Sequence, residues 1–83
     1  MLDKKASLLI RIIVNKPNNS FIYYSKEANI SYAYVVRLVY EFQNYNWVQI
    51  SNKNKREKRI NPTNKLLKIA DLIFKLESVL NAK

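Results

Sequence analysis

Apolar residues recur at helical spacing through the first half of the chain, alternate briefly near residue 50, and return to helical spacing at the end. In residues 3–15, Ala6, Leu9 (or Ile10) and Ile13 form a stripe that Leu8 and Ile12 widen, and Asp3 is a suitable N-cap. This predicts a first helix. The β-branched run over 8–14 fits a buried strand as well, but the length and the polar start favour the helix. Asn15, Lys16, Pro17, Asn18 and Asn19 are turn formers, and Pro17 forbids continuation.

Residues 21–47 predict a short helix, a tight turn and a second helix. Ser20 caps the first, which runs to about Ala28 and turns Phe21, Tyr24 and Ala28 inward. A very short strand over 21–23, ahead of a helix starting near Ser25, is equally compatible with the pattern. Ser25 is small where two helices must cross closely. Asn29 stands where the chain reverses through a left-handed residue, Ile30 plugs the turn, and Ser31 caps the next helix. That helix, 31–44, has two unlike sides. Val35, Leu38, Val39 and Phe42 face inward, whereas Ser31, Tyr32, Ala33, Tyr34, Arg37 and Glu41 lie largely outward, with Val36 and Tyr40 between. Asn46 is a natural left-handed cap at its end.

Residues 47–51 alternate as a strand, with Val48 and Ile50 on one face and Trp47 covering the corner. A turn over 52–54 leads to a second strand, 57–61, with Ile60 inward. A last helix begins at Pro62 and Thr63, is capped by Thr63 or Asn64, and runs to about Asn81. Leu66, Ile69, Ile73, Leu76 and Leu80 form a heptad-like seam on it, and Leu67, Ala70, Leu72, Phe74 and Val79 make it apolar over more than one face. One small domain does not need so much apolar surface on one helix. The excess predicts a homodimer paired through the last helices, alone or together with the first.

The 83 residues, 48% apolar, suffice for one small domain and are too rich in apolar residues for a disordered tail. The densest apolar run, 8–14, contains Arg11 and is too short for a membrane span, and no small-residue cleavage site follows it. A soluble cytoplasmic protein is expected. Cysteine, histidine and glycine are all absent, which removes disulfides, thiolate and imidazole chemistry, zinc fingers and Gly-rich phosphate loops. The six acidic residues are scattered, so no metal site, cofactor or catalytic centre is expected.

Charge changes the picture more. The net charge is +9, and Lys53, Lys55, Arg56, Lys58 and Arg59 crowd the hairpin against a single Glu57. Such a cluster repels itself unless a polyanion arrives, which points to nucleic acid. Tyr32 and Tyr34 at the start of the adjacent helix can donate to phosphate or contact thymine methyls, and Arg37 can read guanine or hold backbone.

Helix, helix, ANIS turn, helix, WVQI strand, basic turn, KRINPT strand and final helix together resemble a winged helix-turn-helix domain, in particular the compact MarR-like and related archaeal or archaeal-virus transcriptional regulators. The likeness spans nearly the whole chain. It implies a mainly α fold with a small antiparallel β-hairpin: one domain over 1–83, with the helix-turn-helix at 21–44, the wing at 47–61 and the final helix at 63–81. It also implies a homodimeric, sequence-specific binder of double-stranded DNA, acting as a repressor. Ser31, Tyr32, Tyr34 and Arg37 match the base- and phosphate-contacting positions, and Lys53, Lys55, Arg56, Lys58 and Arg59 match the wing. Two departures stand out: Asn29, Asn46 and Asn52 or Asn54 replace the usual glycines, and little room exists for an effector-binding surface. The richness in Asn, Lys, Ile and Tyr suggests an A·T-rich genome. An interaction module using Tyr32, Tyr34, Tyr40 and Tyr45, or a non-specific architectural DNA binder, are the competing readings.

Overall fold

The computed structural model describes residues 3–52 and 57–81, with only the backbone at Asn81. The elements are α1 (Lys4–Asn15), α2 (Phe21–Ala28), α3 (Tyr32–Asn44), β1 (Val48–Asn52), β2 (Lys58–Pro62) and α4 (Asn64–Asn81). This order is that of a winged helix.

Each helix starts on a side-chain cap. Asp3 Oδ1 accepts from the Ala6 amide at 2.7 Å, Ser20 from Tyr23, Ser31 from Tyr34, and Thr63 from Leu66. Segment 21–23 is helical, which settles the open reading there. The reversals after α2 and α3 pass through Asn29 (φ 55°) and Asn46 (φ 62°) in the left-handed region, where Asn is the best replacement for glycine. Asn18 (φ 65°) is a third such residue. Asn52 is not one: it is the last residue of β1, opposite Lys58, and Asn54 lies outside the described residues.

The strands pair antiparallel with Ile50 opposite Ile60, and each ends one residue later than its pattern suggested. The shift at the far end has a clear cause. The Thr63 amide donates to the Trp47 carbonyl at 2.9 Å, so the ladder extends beyond Pro62, which therefore closes β2 and does not open α4. The α1–α2 loop adds a stub of third strand. Asn18 N donates to Ile60 O at 2.9 Å, and Ile60 N to Asn19 O at 3.0 Å.

Ala6, Leu9, Ile10 and Ile13 of α1 meet Tyr24, Val35, Leu38, Val39, Phe42, Val48, Ile60, Leu66 and Ala70 in one core cluster. Tyr24 is fully enclosed, and its hydroxyl donates to the Lys16 carbonyl at 2.6 Å, so the burial leaves no orphaned donor. Ser25 does more than permit a close crossing. Its Oγ donates to Ile30 O at 2.6 Å and clamps the helix-turn-helix turn.

The seam expected along α4 divides. Leu66 is fully buried in the protein's own core and offers nothing to a second copy. Ile69 and Ile73 are half-buried, while Leu72, Leu76, Val79 and Leu80 are 58–71% exposed. Ridge spacing alone could not reveal that division, because the first half of α4 lies on the core while the second half meets the domain along α1, through Phe74 and Glu77. The molecule is elongated, 48 × 25 × 20 Å.

Candidate nucleic-acid interface

Burial of Val35, Leu38, Val39 and Phe42 fixes the rotation of α3 about its axis. Tyr32, Ala33, Arg37, Tyr40 and Glu41 then face solvent, with Val36 half-buried. Tyr32, Val36 and Tyr40, four residues apart, form one ridge.

Phe21, the first residue of α2, holds that ridge from behind. Its ring lies 6.4 Å from Tyr32 in an edge-on arrangement and 6.0 Å from Tyr40 in a stacked one. Lys58, at the start of β2, donates to the Tyr40 phenolic oxygen at 3.3 Å. Ser20, Phe21, Ile22, Tyr32, Val36, Tyr40, Glu57 and Lys58 thus line one open cleft of about 390 Å3. Helix α3 and the turn end of the hairpin border the same cleft.

Tyr34 sits elsewhere. It is half-buried, and its hydroxyl donates to Asp3 Oδ2 at 2.9 Å, across to the N-cap of α1. The Lys5 ammonium and the Arg37 guanidinium lie 5.3 and 5.1 Å from its ring centre. Asp3 is held below the usual carboxylate range, first by the Ala6 amide and then by the Tyr34 hydroxyl. The Tyr34 phenol is correspondingly raised, chiefly because it donates to that carboxylate. The two tyrosines therefore do not act as a pair. On the outward ridge Tyr32 shares its face with Tyr40, eight residues on, with Phe21 against both rings, and that helical spacing was present in the sequence. The ring of Tyr32 rests on Phe21, whereas the hydroxyl of Tyr34 is taken by Asp3.

Arg37 is exposed, with Nε 3.8 Å from a Glu41 carboxylate oxygen one turn on. Of the hairpin cations, Lys53, Lys55 and Arg56 lie outside the described residues. Lys58 is exposed. Arg59 is not: its side chain is 21% exposed, ion-paired with Glu57, and it donates to the Asn18 carbonyl at 3.3 Å. The charge run therefore contains one residue that fastens the wing to the α1–α2 loop.

A second surface lies between α1 and α4. Leu8, Trp47, Ile73, Leu76 and Leu80 line a groove of about 680 Å3, rimmed by Asp3, Lys4, Ser7, Arg11 and Glu77. Arg11 spans the two helices, with Nη2 3.0 Å from Glu77 and its guanidinium 4.6 Å from the Phe74 ring centre. Among the described residues, no helix is long and apolar enough to cross a membrane, and no group of three or more acidic residues could hold a metal ion.

No family model and no curated protein sequence matches this chain. Solved structures do. AF1382 from Archaeoglobus fulgidus superposes with a TM-score of 0.87 at 21% identity, over 98% of this chain and 92% of that one. Streptococcus pneumoniae FabT in complex with DNA gives 0.81 at 17%, over 95% of this chain and 57% of FabT. A MarR family transcription regulator, SP03579, gives 0.89 at 14%, over 98% and 55%. The fold is thus the MarR-like winged helix, and the chain spans little more than half the length of the latter two proteins.

Proposed function

We propose that this protein binds double-stranded DNA in a sequence-specific manner and regulates transcription as a homodimer. The observation that carries this reading is the shared cleft: the outward ridge of α3 and Lys58, at the turn end of the wing, border one concavity, on a chain of net charge +9. Helix α3 would enter the major groove with Tyr32, Arg37 and Tyr40 toward base edges and Ser31 near the backbone. Lys53, Lys55, Arg56 and Lys58 would supply phosphate contacts that add affinity with little sequence information. Tyr34 and Arg59 serve that surface indirectly, by anchoring α3 to α1 and the wing to the α1–α2 loop.

Leu72, Leu76, Val79 and Leu80, with Ile69 and Ile73 beside them, would meet the same residues of a second copy about a two-fold axis. Two copies of α3 would then reach successive major grooves of a partly palindromic site, and occlusion of a promoter would give repression. The FabT–DNA complex and the MarR family neighbour support this reading by likeness of fold. Site selection from random duplexes, paired with a mass measurement of the free protein, tests it. With about three or four phosphates neutralised per protomer, log affinity should fall against log salt with a slope of roughly −5 to −7. Salt-independent affinity, or no duplex bound at low salt, would reject it.

A further inference from the structure

We infer that α3 reads thymine 5-methyl groups through the apolar ridge Tyr32–Val36–Tyr40, so that its preferred sites carry thymine at the contacted positions. This rests on the duplex-binding reading above and specifies what that surface recognises.

In the major groove, guanine calls for the paired donors of Arg or Lys, adenine for the amide of Asn or Gln, and thymine offers a methyl to apolar groups. The outward residues through the first turns of α3 include no amide; Gln43 and Asn44 come only at its C-terminal end. The single cation among them, Arg37, lies over the Tyr34 ring and beside Glu41, both of which restrain its reach. Between Ser31 at its start and Glu41 in its third turn, the ridge the helix presents is mostly carbon, with the Tyr32 and Tyr40 hydroxyls at the rims of the rings. Ala33 is exposed, Val36 is half-buried between two tyrosine rings, and Phe21 pins both rings, so little ordering remains to be done on binding.

Polarity points the same way. The Tyr40 hydroxyl is engaged toward the hairpin by Lys58, which leaves the ring as the part of Tyr40 that lies along the ridge. Apolar groups set against the hydrogen-bonding edge of a G·C pair would strand its donors and acceptors without partners, a cost a thymine methyl does not incur. Discrimination therefore arises both from the methyl gained and from the polar edges avoided.

The test uses the full chain and the duplex recovered by site selection, prepared with thymidine or with deoxyuridine, which differ only in the methyl. Each buried methyl should be worth roughly fourfold in affinity, so a site contacted at two thymines should lose more than about tenfold on full substitution. Val36→Ala, which removes carbon from the ridge without emptying the core, should narrow the thymine-to-uracil ratio while leaving the salt slope unchanged. Equal binding of the two duplexes, or a selected site without recurrent thymines, overturns the inference and leaves duplex binding standing. A chain that binds neither duplex overturns both.

Discussion

Lys58 donates a 3.3 Å hydrogen bond to the phenolic oxygen of Tyr40, joining the first residue of β2 to the third turn of α3. Its neighbour Arg59 turns to the other face of the strand, to Glu57 and the Asn18 carbonyl. Adjacent cations in one strand thus do different work, because successive side chains leave opposite faces of a strand.

Alanine substitution should separate them. Lys58→Ala should leave stability within about 0.5 kcal/mol, since the residue is exposed, and should reduce the magnitude of the salt slope by about 0.9 per protomer. Arg59→Ala should destabilise by about 1–2 kcal/mol, because the partly shielded Glu57 loses one of its partners and the Asn18 carbonyl loses a donor. Denaturant melts and binding isotherms at several salt concentrations read both.

Tyr34 and Asp3 predict a pH signature. The Asp3 carboxyl is depressed in the folded protein, so its stabilising contribution is fully present above the unfolded-state value and is lost as pH falls through the folded value. Tyr34→Phe removes one of the donors responsible. The Asp3 carboxyl should then titrate at higher pH than in the parent protein, followed by carbon NMR, and the acid-induced loss of stability, which still begins near the unfolded-state value, should be smaller and end at a correspondingly higher pH. The Ala6 amide remains, so the carboxyl should stay below its ordinary range. An unchanged Asp3 titration would show that the Tyr34 hydroxyl does not hold the carboxylate.

Tyr24→Phe deletes a buried hydroxyl that donates to Lys16 O at 2.6 Å, leaving that carbonyl without this partner. A loss of about 1–2 kcal/mol is expected, or roughly 5–15 °C in melting temperature for a domain of this size. The ring fills its site unchanged in the variant, so far-ultraviolet circular dichroism should not move.

Leu76→Lys together with Leu80→Lys introduces charge on the exposed half of α4, away from the buried Leu66 and Ala70. The proposed dimer should dissociate, seen as halved mass by light scattering, while the monomer keeps its helical content. Leu66→Ala should behave differently: it should cost about 2–5 kcal/mol by leaving a cavity in the domain core.

The element order was legible along the chain because its signals are local. Caps at Asp3, Ser20, Ser31 and Thr63, the left-handed Asn29 and Asn46, the four-residue spacing within α3 and the alternation at 48–50 each depend on a few neighbours. The same locality made the inward faces of α1 and α3 readable. What no stretch of sequence carries is which outward residue finds a distant partner. Tyr34 reaches Asp3 across 31 positions, Lys58 reaches Tyr40 across 18, and Arg59 reaches Asn18 across 41. Those contacts follow from the angles at which helices cross and the hairpin docks, and packing of the whole core sets those angles. Periodicity marked α4 as apolar on several sides, but only the tertiary arrangement divided Leu66, enclosed by the core, from Leu76 and Leu80, which extend beyond it.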